Sequence, residues 1–159
     1  MDGFHLADVE LDRLGIRSRK GASETFDVAG YVATLSRLRD NRDEIVYVPG
    51  FERDIEQPIA ASIAIPRAAS LVITEGNYLL LPEGGWQRIR EFVDEFWYCD
   101  LPEPKRLTRL TARHVRSGKS EAAAAAWANG TDQVNASLVA TTREHANVHI
   151  RVADLSRPR

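Results

Sequence analysis

The chain of 159 residues carries 21 Lys and Arg against 23 Asp and Glu, a formal net charge of −2, and 43% of its residues are hydrophobic. These values are ordinary for one globular domain, exclude wholesale disorder, and disfavour a protein built to neutralise nucleic-acid phosphates. A single cysteine, Cys99, excludes an internal disulfide framework and a multi-cysteine zinc site. No apolar run approaches the roughly 20 residues that span a bilayer, and no signal peptide opens the chain. We therefore expect a cytoplasmic protein whose partners include neither a membrane nor a nucleic acid.

The first half of the chain shows one clear helix and several short strand signals. Asp27 is a favourable N-cap, and the apolar spacing after it predicts an amphipathic helix over residues 28–40. Three elements are predicted to follow: a buried strand over 45–48 that ends in a turn at Pro49-Gly50, an exposed functional loop over 50–58, and a strand over 59–65.

The strongest strand signal lies at Ser70–Leu81. The apolar run 71–73 is interrupted by polar residues 74–77, which predicts a buried strand of the parallel type with a polar end. The remaining predictions are a helix over 86–95, a strand over 96–101, a helix over 104–117, a helix from Ser120 to about 129, a helix over 132–147 and a strand over 148–152. This alternation predicts an α/β fold with a mainly parallel sheet.

Two acids occupy positions that are typical of functional groups in such folds. Glu75 directly follows the strand predicted at 71–74, and Asp2 lies at the start of the chain. Ligands of open α/β sheets bind beyond the carboxyl ends of the strands, where a carboxylate can hold Mg²⁺ or accept a hydroxyl proton. The plainer alternatives are a buried Glu75 paired with an arginine, and an Asp2 without a special role.

Arginines cluster on the helix predicted at 104–117. Arg109, Arg113 and Arg116 are four and three residues apart, so they share one face. Guanidinium groups stacked in this way repel each other unless an anion lies over them, and phosphate oxygens suit their fork of donors. The alternative is a solvated face, because the chain contains 18 Arg and 3 Lys. The nearby segment 118–120 (GKS) is not a Walker A motif, since position 113 is Arg where that pattern needs Gly.

Three segments together carry a family resemblance: Met1–Leu6 (MDGFHL), Phe51–Ile55 (FERDI) and Thr74–Leu80 (TEGNYLL). With them the chain resembles, from Met1 to about Asn147, the P-loop nucleoside and nucleotide kinases of the uridine kinase and pantothenate kinase-like branch. The nearest look-alikes are bacterial proteins called fructose transport system kinases. The resemblance implies a three-layer α/β/α P-loop NTPase fold, with one kinase-like domain over residues 1–159 and a lid over 104–130. It also implies ATP-dependent phosphoryl transfer to a hydroxyl of a nucleoside, sugar or pantothenate-like acceptor, with ATP and Mg²⁺ as cofactors.

The resemblance assigns roles to individual residues. Asp2 matches the acid that accepts the proton of the acceptor hydroxyl and lies near the metal, and Glu75 resembles the acid beside the metal's water shell. Arg109 and Arg113 resemble catalytic lid arginines that close over the transferring phosphoryl group. The acceptor-pocket residues implied are His5, Arg53 and Asp54, and the nucleotide-binding residues are Arg116, Asp132 and Asn135.

The resemblance also exposes a departure. Kinases of this kind begin with a strand, a Walker A loop, a helix and a second strand, and no segment of the 159 residues matches the Walker A pattern. We expect a start at an internal methionine or a truncated relative, which is inactive alone and self-associates through an exposed sheet edge. Two other functions stay open. One is a non-catalytic interaction or regulatory protein derived from the kinase fold. The other is a phosphate-ester hydrolase with Asp2 as nucleophile, although position 4 lacks a second aspartate.

Overall fold

The computed structural model describes residues 1–152, and the chain divides into two compact units, Met1–Asp94 and Glu95–Arg159. The helices and strands of the described residues are, in chain order, α1 (Asp8–Arg13), α2 (Val28–Asp40), β1 (Ile45–Glu52), β2 (Gln57–Pro66), β3 (Trp97–Asp100), α3 (Glu103–Arg116), α4 (Glu121–Asn129), α5 (Thr131–Ala140) and β4 (Val148–Arg151). The single domain predicted over residues 1–159 stays a prediction, and its residues 153–159 lie outside the described part of the chain.

Helix α2 forms where the sequence predicts it. The carboxylate of Asp27 accepts a hydrogen bond from the backbone N–H of Gly30 at 2.8 Å, which satisfies one of the free donors at the helix start. The helix ends at Asp40, and the next residue, Asn41, has a φ of 49°, the left-handed conformation common after a last helical turn. Its buried face packs into an aromatic core, built from Phe26, Tyr31, Tyr78 and Trp86.

Strands β1 and β2 form an antiparallel hairpin in which Ile45 lies opposite Pro66. The turn predicted at Pro49-Gly50 is wrong, because β1 continues through both residues to Glu52. Its register shifts between Val48 and Gly50, and such a bulge tolerates a proline that has no N–H for the ladder. The loop predicted over 50–58 is therefore mostly strand, with a short turn over residues 53–56. The strand predicted over 59–65 is confirmed within the longer β2.

Gly3 lies against this bulge, and a substitution of Gly3 tests how closely the start of the chain approaches β1. A Cβ at Gly3 would lie 2.1 Å from the carbonyl oxygen of Pro49, which is backbone and cannot rotate away. We expect Gly3→Ala to lower the free energy of unfolding by about 3 kcal/mol, the upper end of overpacking costs. Chemical denaturation measures this loss. In the control Gly15→Ala the new Cβ meets no atom within 4 Å, so only the left-handed backbone costs about 1 kcal/mol. Equal losses would contradict a close approach at Gly3.

The buried strand predicted at Ser70–Leu81 is not formed. Residues 70–76 belong to no helix or strand, and the side chains of Leu71 and Ile73 are 74% and 84% exposed. A buried parallel strand needs neighbours that satisfy its N–H and C=O groups, and within residues 1–152 no strand pairs with this run. Only the far end of the segment is in the core, at Tyr78, Leu80 and Leu81. The helix predicted over 86–95 is a 3₁₀ turn, Trp86–Glu91.

The second unit follows its sequence signals more closely. The strands predicted at 96–101 and 148–152 form the parallel pair β3–β4, in which Trp97 lies opposite Val148. Helix α3 matches its predicted range, and the Ser120 hydroxyl caps α4 by accepting from the N–H of Ala123 at 3.3 Å. The helix predicted over 132–147 ends early, at Ala140. The hydroxyls of Thr141 and Thr142 donate back to the carbonyls of Leu138 and Val139, a bonding pattern that competes with continuation of a helix.

Among residues 1–152, no helix is long and apolar enough to cross a bilayer.

Candidate functional site

Asp2 lies on a 3₁₀ turn, Asp2–Phe4, beside the β1–β2 hairpin. Its carboxylate Oδ2 accepts a hydrogen bond from Nη2 of Arg53, in the hairpin turn, at 3.0 Å. The side chain of Asp2 is 41% exposed and that of Arg53 is 75% exposed. An ion pair this exposed contributes about 1 kcal/mol or less to stability, so a ligand can displace it at little cost. The structure thus brings Asp2 and Arg53 together. The family resemblance implies that Asp2 accepts the hydroxyl proton and that Arg53 lines the acceptor pocket.

His5 makes a hydrogen bond to the backbone of Asp2. Its ring lies between Phe26 and Phe51, with centroid distances of 4.0 and 5.1 Å. The ring Nδ1 lies 2.8 Å from the carbonyl oxygen of Asp2. Because a carbonyl can only accept, Nδ1 carries the proton and donates, which leaves Nε2 as the acceptor of the neutral ring. Burial lowers the pKa of His5, although the hydrogen bond to Asp2 opposes this effect. His5 is therefore neutral at pH 7.

The lowered pKa of His5 predicts a pH dependence of stability. The ordinary value is 6.5, so as the pH falls the unfolded chain takes up a proton before the folded protein does. Stability from a neutral His5 is fully present above about pH 6.5 and is lost as the pH falls towards the folded-state pKa. Urea unfolding between about pH 7.5 and pH 5 measures the slope. We expect His5→Gln to flatten it and the exposed control His145→Gln to preserve it. Equal slopes in wild type and His5→Gln would contradict the assignment.

Lys20 and Gln57 hold the hairpin turn, and no sequence pattern predicts this role for either residue. The ammonium of Lys20 donates to Oδ1 of Asp8 at 2.6 Å and also to the carbonyl of Glu56. The backbone N–H of Asp8 donates to Oε1 of Gln57 at 3.1 Å. The hydrogen bond from Lys20 lowers the pKa of Asp8. These contacts join α1 to the turn that carries Arg53.

Asp54, assigned by the resemblance to the acceptor pocket, lies in the same turn and is exposed. Its backbone N–H donates to Oε1 of Glu52 at 3.2 Å. The structure therefore places it near Arg53 along the chain, and its role stays a prediction.

Glu75 lies in the irregular segment 70–76, which contacts the start of the chain next to Asp2. The backbone nitrogen of Met1 donates to the carbonyl of Glu75 at 2.7 Å, so the residue before Asp2 contacts Glu75 directly. The Glu75 side chain is 84% exposed, so the alternative of a buried acid paired with an arginine is wrong. Its expected place at the end of a regular strand is also wrong, because no strand forms there.

The two acids fit a magnesium ion that keeps much of its water. Mg²⁺ is commonly held by one or two carboxylates together with substrate phosphates. Asp2 and Glu75 supply two exposed carboxylates on adjoining segments. Within residues 1–152, no group of three or more His, Cys, Asp or Glu side chains is arranged to hold a metal. A fully protein-built cage is thus not present there, whereas a mostly hydrated ion is compatible with these residues.

The arginines assigned to the lid lie on α3, in the second unit. Arg109, Arg113 and Arg116 are all exposed. A shallow surface depression on this helix is lined by Pro104, Lys105, Thr108 and Arg109. On the same helix, the guanidinium of Arg106 donates to Oε1 of Gln133 on α5, whose amide donates to Glu103 at 2.7 Å. Arg106 therefore joins two helices.

The residues assigned to the nucleotide lie partly in contacts within the second unit. Oδ2 of Asp132 lies 2.7 Å from Nε2 of His114, and this pair links α5 to α3. Both side chains are mostly shielded, at 15% exposure for His114 and 23% for Asp132. Asn135 is half-buried one turn further along α5. The nucleotide-binding roles of Arg116, Asp132 and Asn135 stay predictions.

Comparison with known proteins gives two sequence relatives, while no family model matches the chain. The chain is 32% identical over 152 residues to the ATP-dependent kinase-like protein notR' of Aspergillus versicolor. This alignment covers 90% of this chain and 88% of that protein. It is 31% identical over 161 residues to the uncharacterised protein YggC of Escherichia coli K12, covering 99% of this chain and 64% of that protein. The chain thus spans just under two thirds of YggC.

Solved structures give the same picture of the fold. A candidate fructose transport system kinase from Silicibacter sp. TM1040 matches with a TM-score of 0.87 and 33% identity, over 94% of this chain and 72% of that chain. A second match is YFH7 of Saccharomyces cerevisiae, a candidate P-loop kinase with a circular permutation. It has a TM-score of 0.81 and 22% identity, and the match covers 96% of this chain and 57% of that chain. The second match concerns the fold alone. The predicted α/β fold of the P-loop kinase type is confirmed, and the near full-length similarity to notR' shows that the chain belongs to the family of ATP-dependent kinase-like proteins.

Proposed function

We propose that the protein acts in ATP-dependent phosphoryl transfer to a hydroxyl group of a small molecule, such as a nucleoside, a sugar or a pantothenate-like acceptor. The observation that carries this proposal is the exposed Asp2 carboxylate, paired with Arg53 at 3.0 Å and supported by His5. Kinase-like relatives support it independently. The cytoplasm is the proposed compartment, since ATP and small hydroxyl compounds are available there.

In this reaction Asp2 accepts the proton of the attacking hydroxyl. Phosphoryl transfer depends mainly on positioning and charge stabilisation, so one oriented carboxylate is sufficient as the base. The hydrogen bond from Arg53 occupies Oδ2 and orients the group, and the hydrogen bond from His5 holds the backbone behind it. A magnesium ion held by Asp2 and Glu75 would neutralise charge on the phosphate oxygens.

A second candidate is a non-catalytic interaction protein derived from the kinase fold. Strand β2 favours it, because residues 57–66 contain no charged side chain and most of them are exposed. A long uncharged edge strand is a template for pairing with another chain, including a second copy of this one. The DNA upstream of Met1 discriminates the two: an in-frame Gly-rich segment ending in Gly-Lys-Ser/Thr favours the kinase, and an immediate stop codon favours the interaction protein.

The direct test is transfer of phosphate from ATP and Mg²⁺ to a panel of nucleosides, hexoses and hydroxy acids. It uses a form extended upstream of Met1 by a strand and a Walker A loop. We expect transfer to one class of acceptor. No transfer to any member of the panel by a folded, ATP-binding form would contradict the proposal.

The arginines of α3 give a further prediction. If Arg109 and Arg113 contact the transferring phosphoryl group, each change to Ala removes a charge-assisted hydrogen bond and lowers kcat about 10–100-fold. Arg106→Ala is the comparison, since Arg106 lies on the same helix and joins it to α5 through Gln133, and we expect it to have a smaller effect on kcat. Steady-state kinetics in a salt series measures all three. Equal and mild effects would instead show that the arginine face is only solvated.

A further inference from the structure

The segment that carries Glu75 has few contacts that fix its position. Residues 70–76 form no helix or strand, and the side chains of Leu71 and Ile73 are largely exposed. From the described part of the chain, residues 70–77 receive one backbone hydrogen bond, from Met1 to the carbonyl of Glu75. The Met1 ammonium also lies 3.7 Å from Oε1 of Glu75, but an ion pair with a carboxylate that is 84% exposed fixes its position only weakly. Metal binding by this carboxylate therefore requires that a side chain hold its neighbours.

Tyr31 supplies that second contact. Its hydroxyl lies 2.6 Å from Oγ1 of Thr74, the residue immediately before Glu75. Tyr31 is 3% exposed and lies on α2, whose start is fixed by the Asp27 cap. A buried hydroxyl is costly unless it is hydrogen-bonded, so this pairing is directional and specific. Burial raises the pKa of Tyr31, so the phenol keeps its proton at neutral pH.

The same ring also contacts the segment of Asp2. The rings of Phe4 and Tyr31 meet edge to face with a centroid distance of 4.9 Å, and Phe4 lies on the 3₁₀ turn that begins with Asp2. The ring of Tyr31 also lies near that of Trp86 in the core, with a centroid distance of 6.3 Å. One rigid side chain therefore touches both the turn of Asp2 and the segment of Glu75.

We propose that Tyr31 is a positioning residue that sets the placement of Glu75 relative to Asp2 through the hydroxyl of Thr74 and the ring of Phe4. This inference rests on the proposed function, in which the two carboxylates share a magnesium ion. Tyr31 contacts neither metal nor substrate in this role. It acts by holding an otherwise weakly bonded segment against a packed helix.

The first measurement is the rate at which a glutamate-specific protease cleaves the 159-residue chain after Glu75, because cleavage requires the segment to open. Tyr31→Phe keeps the ring and removes the hydroxyl, and Thr74→Val keeps the shape and removes the partner. We expect each change to speed this cleavage about threefold to tenfold, the equivalent of one net hydrogen bond. The double variant should be cleaved no faster than either single one, because both remove the same bond. Thr74→Ser, which restores a hydroxyl, should return to the wild-type cleavage rate.

The second measurement is a titration with Mg²⁺ alone, followed by the NMR signals of Asp2 and Glu75. Tyr31→Phe and Thr74→Val should weaken the affinity by a similar factor, and Thr74→Ser should restore it. Thr34→Val is the control, since it removes a hydroxyl bond within α2, to the carbonyl of Gly30, and leaves Thr74 untouched.

The outcomes separate this inference from the proposed function. A wild type whose Asp2 and Glu75 signals do not respond to Mg²⁺ overturns the shared metal, and therefore that part of the proposed function. A wild type that binds Mg²⁺ with variants of unchanged affinity overturns the positioning role alone. Unchanged cleavage after Glu75 in Tyr31→Phe and Thr74→Val, or additive effects in the double variant, would overturn it as well.

Discussion

Asp2→Asn should lower the turnover of phosphoryl transfer about 10²–10⁴-fold, the usual cost of removing a general base. An amide cannot accept the hydroxyl proton, but its oxygen can still accept the hydrogen bond that Nη2 of Arg53 now donates at 3.0 Å. The fold and the orientation of the side chain should therefore persist. Because Glu75 and the Walker A loop of the extended form would still hold the magnesium ion and the phosphates, turnover should fall far more than the affinity for ATP.

The measurement is steady-state kinetics on the form that carries a strand and a Walker A loop upstream of Met1. Asp94→Asn is a matched control, because Asp94 is an exposed acid of the same unit whose ion pair with Arg39 lies on the surface. The control should retain wild-type turnover. If Asp2→Asn also keeps wild-type turnover, Asp2 is not the base.

Elements governed by local signals could be predicted from the sequence. Asp27 and Ser120 cap α2 and α4 as predicted, because a cap depends on residues within one helical turn. The parallel strands β3 and β4 were also correctly located. The turn expected at Pro49-Gly50 failed because proline and glycine mark either a turn or a bulge, and the partner strand decides between them.

The apolar run at Leu71–Ile73 shows more clearly what sequence alone cannot predict. Its residue types suit a buried strand, yet burial depends on which other strands lie beside it, and that information is not local. Candidate site residues also differ in whether a local sequence signal identifies them. The sequence predicts roles for Asp2, His5 and Arg53 because they lie in recognisable segments. The structure brings the three residues together, and their roles stay predictions.

Lys20 and Tyr31 escaped sequence reasoning for a physical reason. Their contacts reach Glu56 and Thr74, which are 36 and 43 residues away along the chain. Nothing in the spacing of either residue distinguishes it from an ordinary surface lysine or core tyrosine. Residues that position others are visible only when the tertiary contacts are known.

The 159-residue chain should bind MgATP no more tightly than about the millimolar range, whereas a form extended by a strand and a Walker A loop should bind within the micromolar to millimolar range typical of enzyme substrates. Kinases of this type hold the β- and γ-phosphates with backbone N–H groups and a lysine of that loop. No segment of the 159 residues fits the pattern. Lys119 follows helix α3 rather than a strand, and its ammonium lies 5.0 Å from the centroid of the Trp127 ring.

Isothermal titration of MgATP into both forms measures the difference, with Lys119→Met in the short chain as a control that should change nothing. The exposed acids Asp2 and Glu75 can hold Mg²⁺ weakly, but a metal ion alone does not orient a triphosphate for in-line attack. The extended form should also be the more stable, because an added strand paired with residues 71–73 would satisfy their backbone groups and give Leu71 and Ile73 apolar neighbours that they now lack. Tight, Mg²⁺-dependent binding by the short chain would contradict this prediction and place the phosphate-binding groups within the 159 residues. Binding by the extended form alone would support the kinase function and locate the triphosphate cradle upstream of Met1.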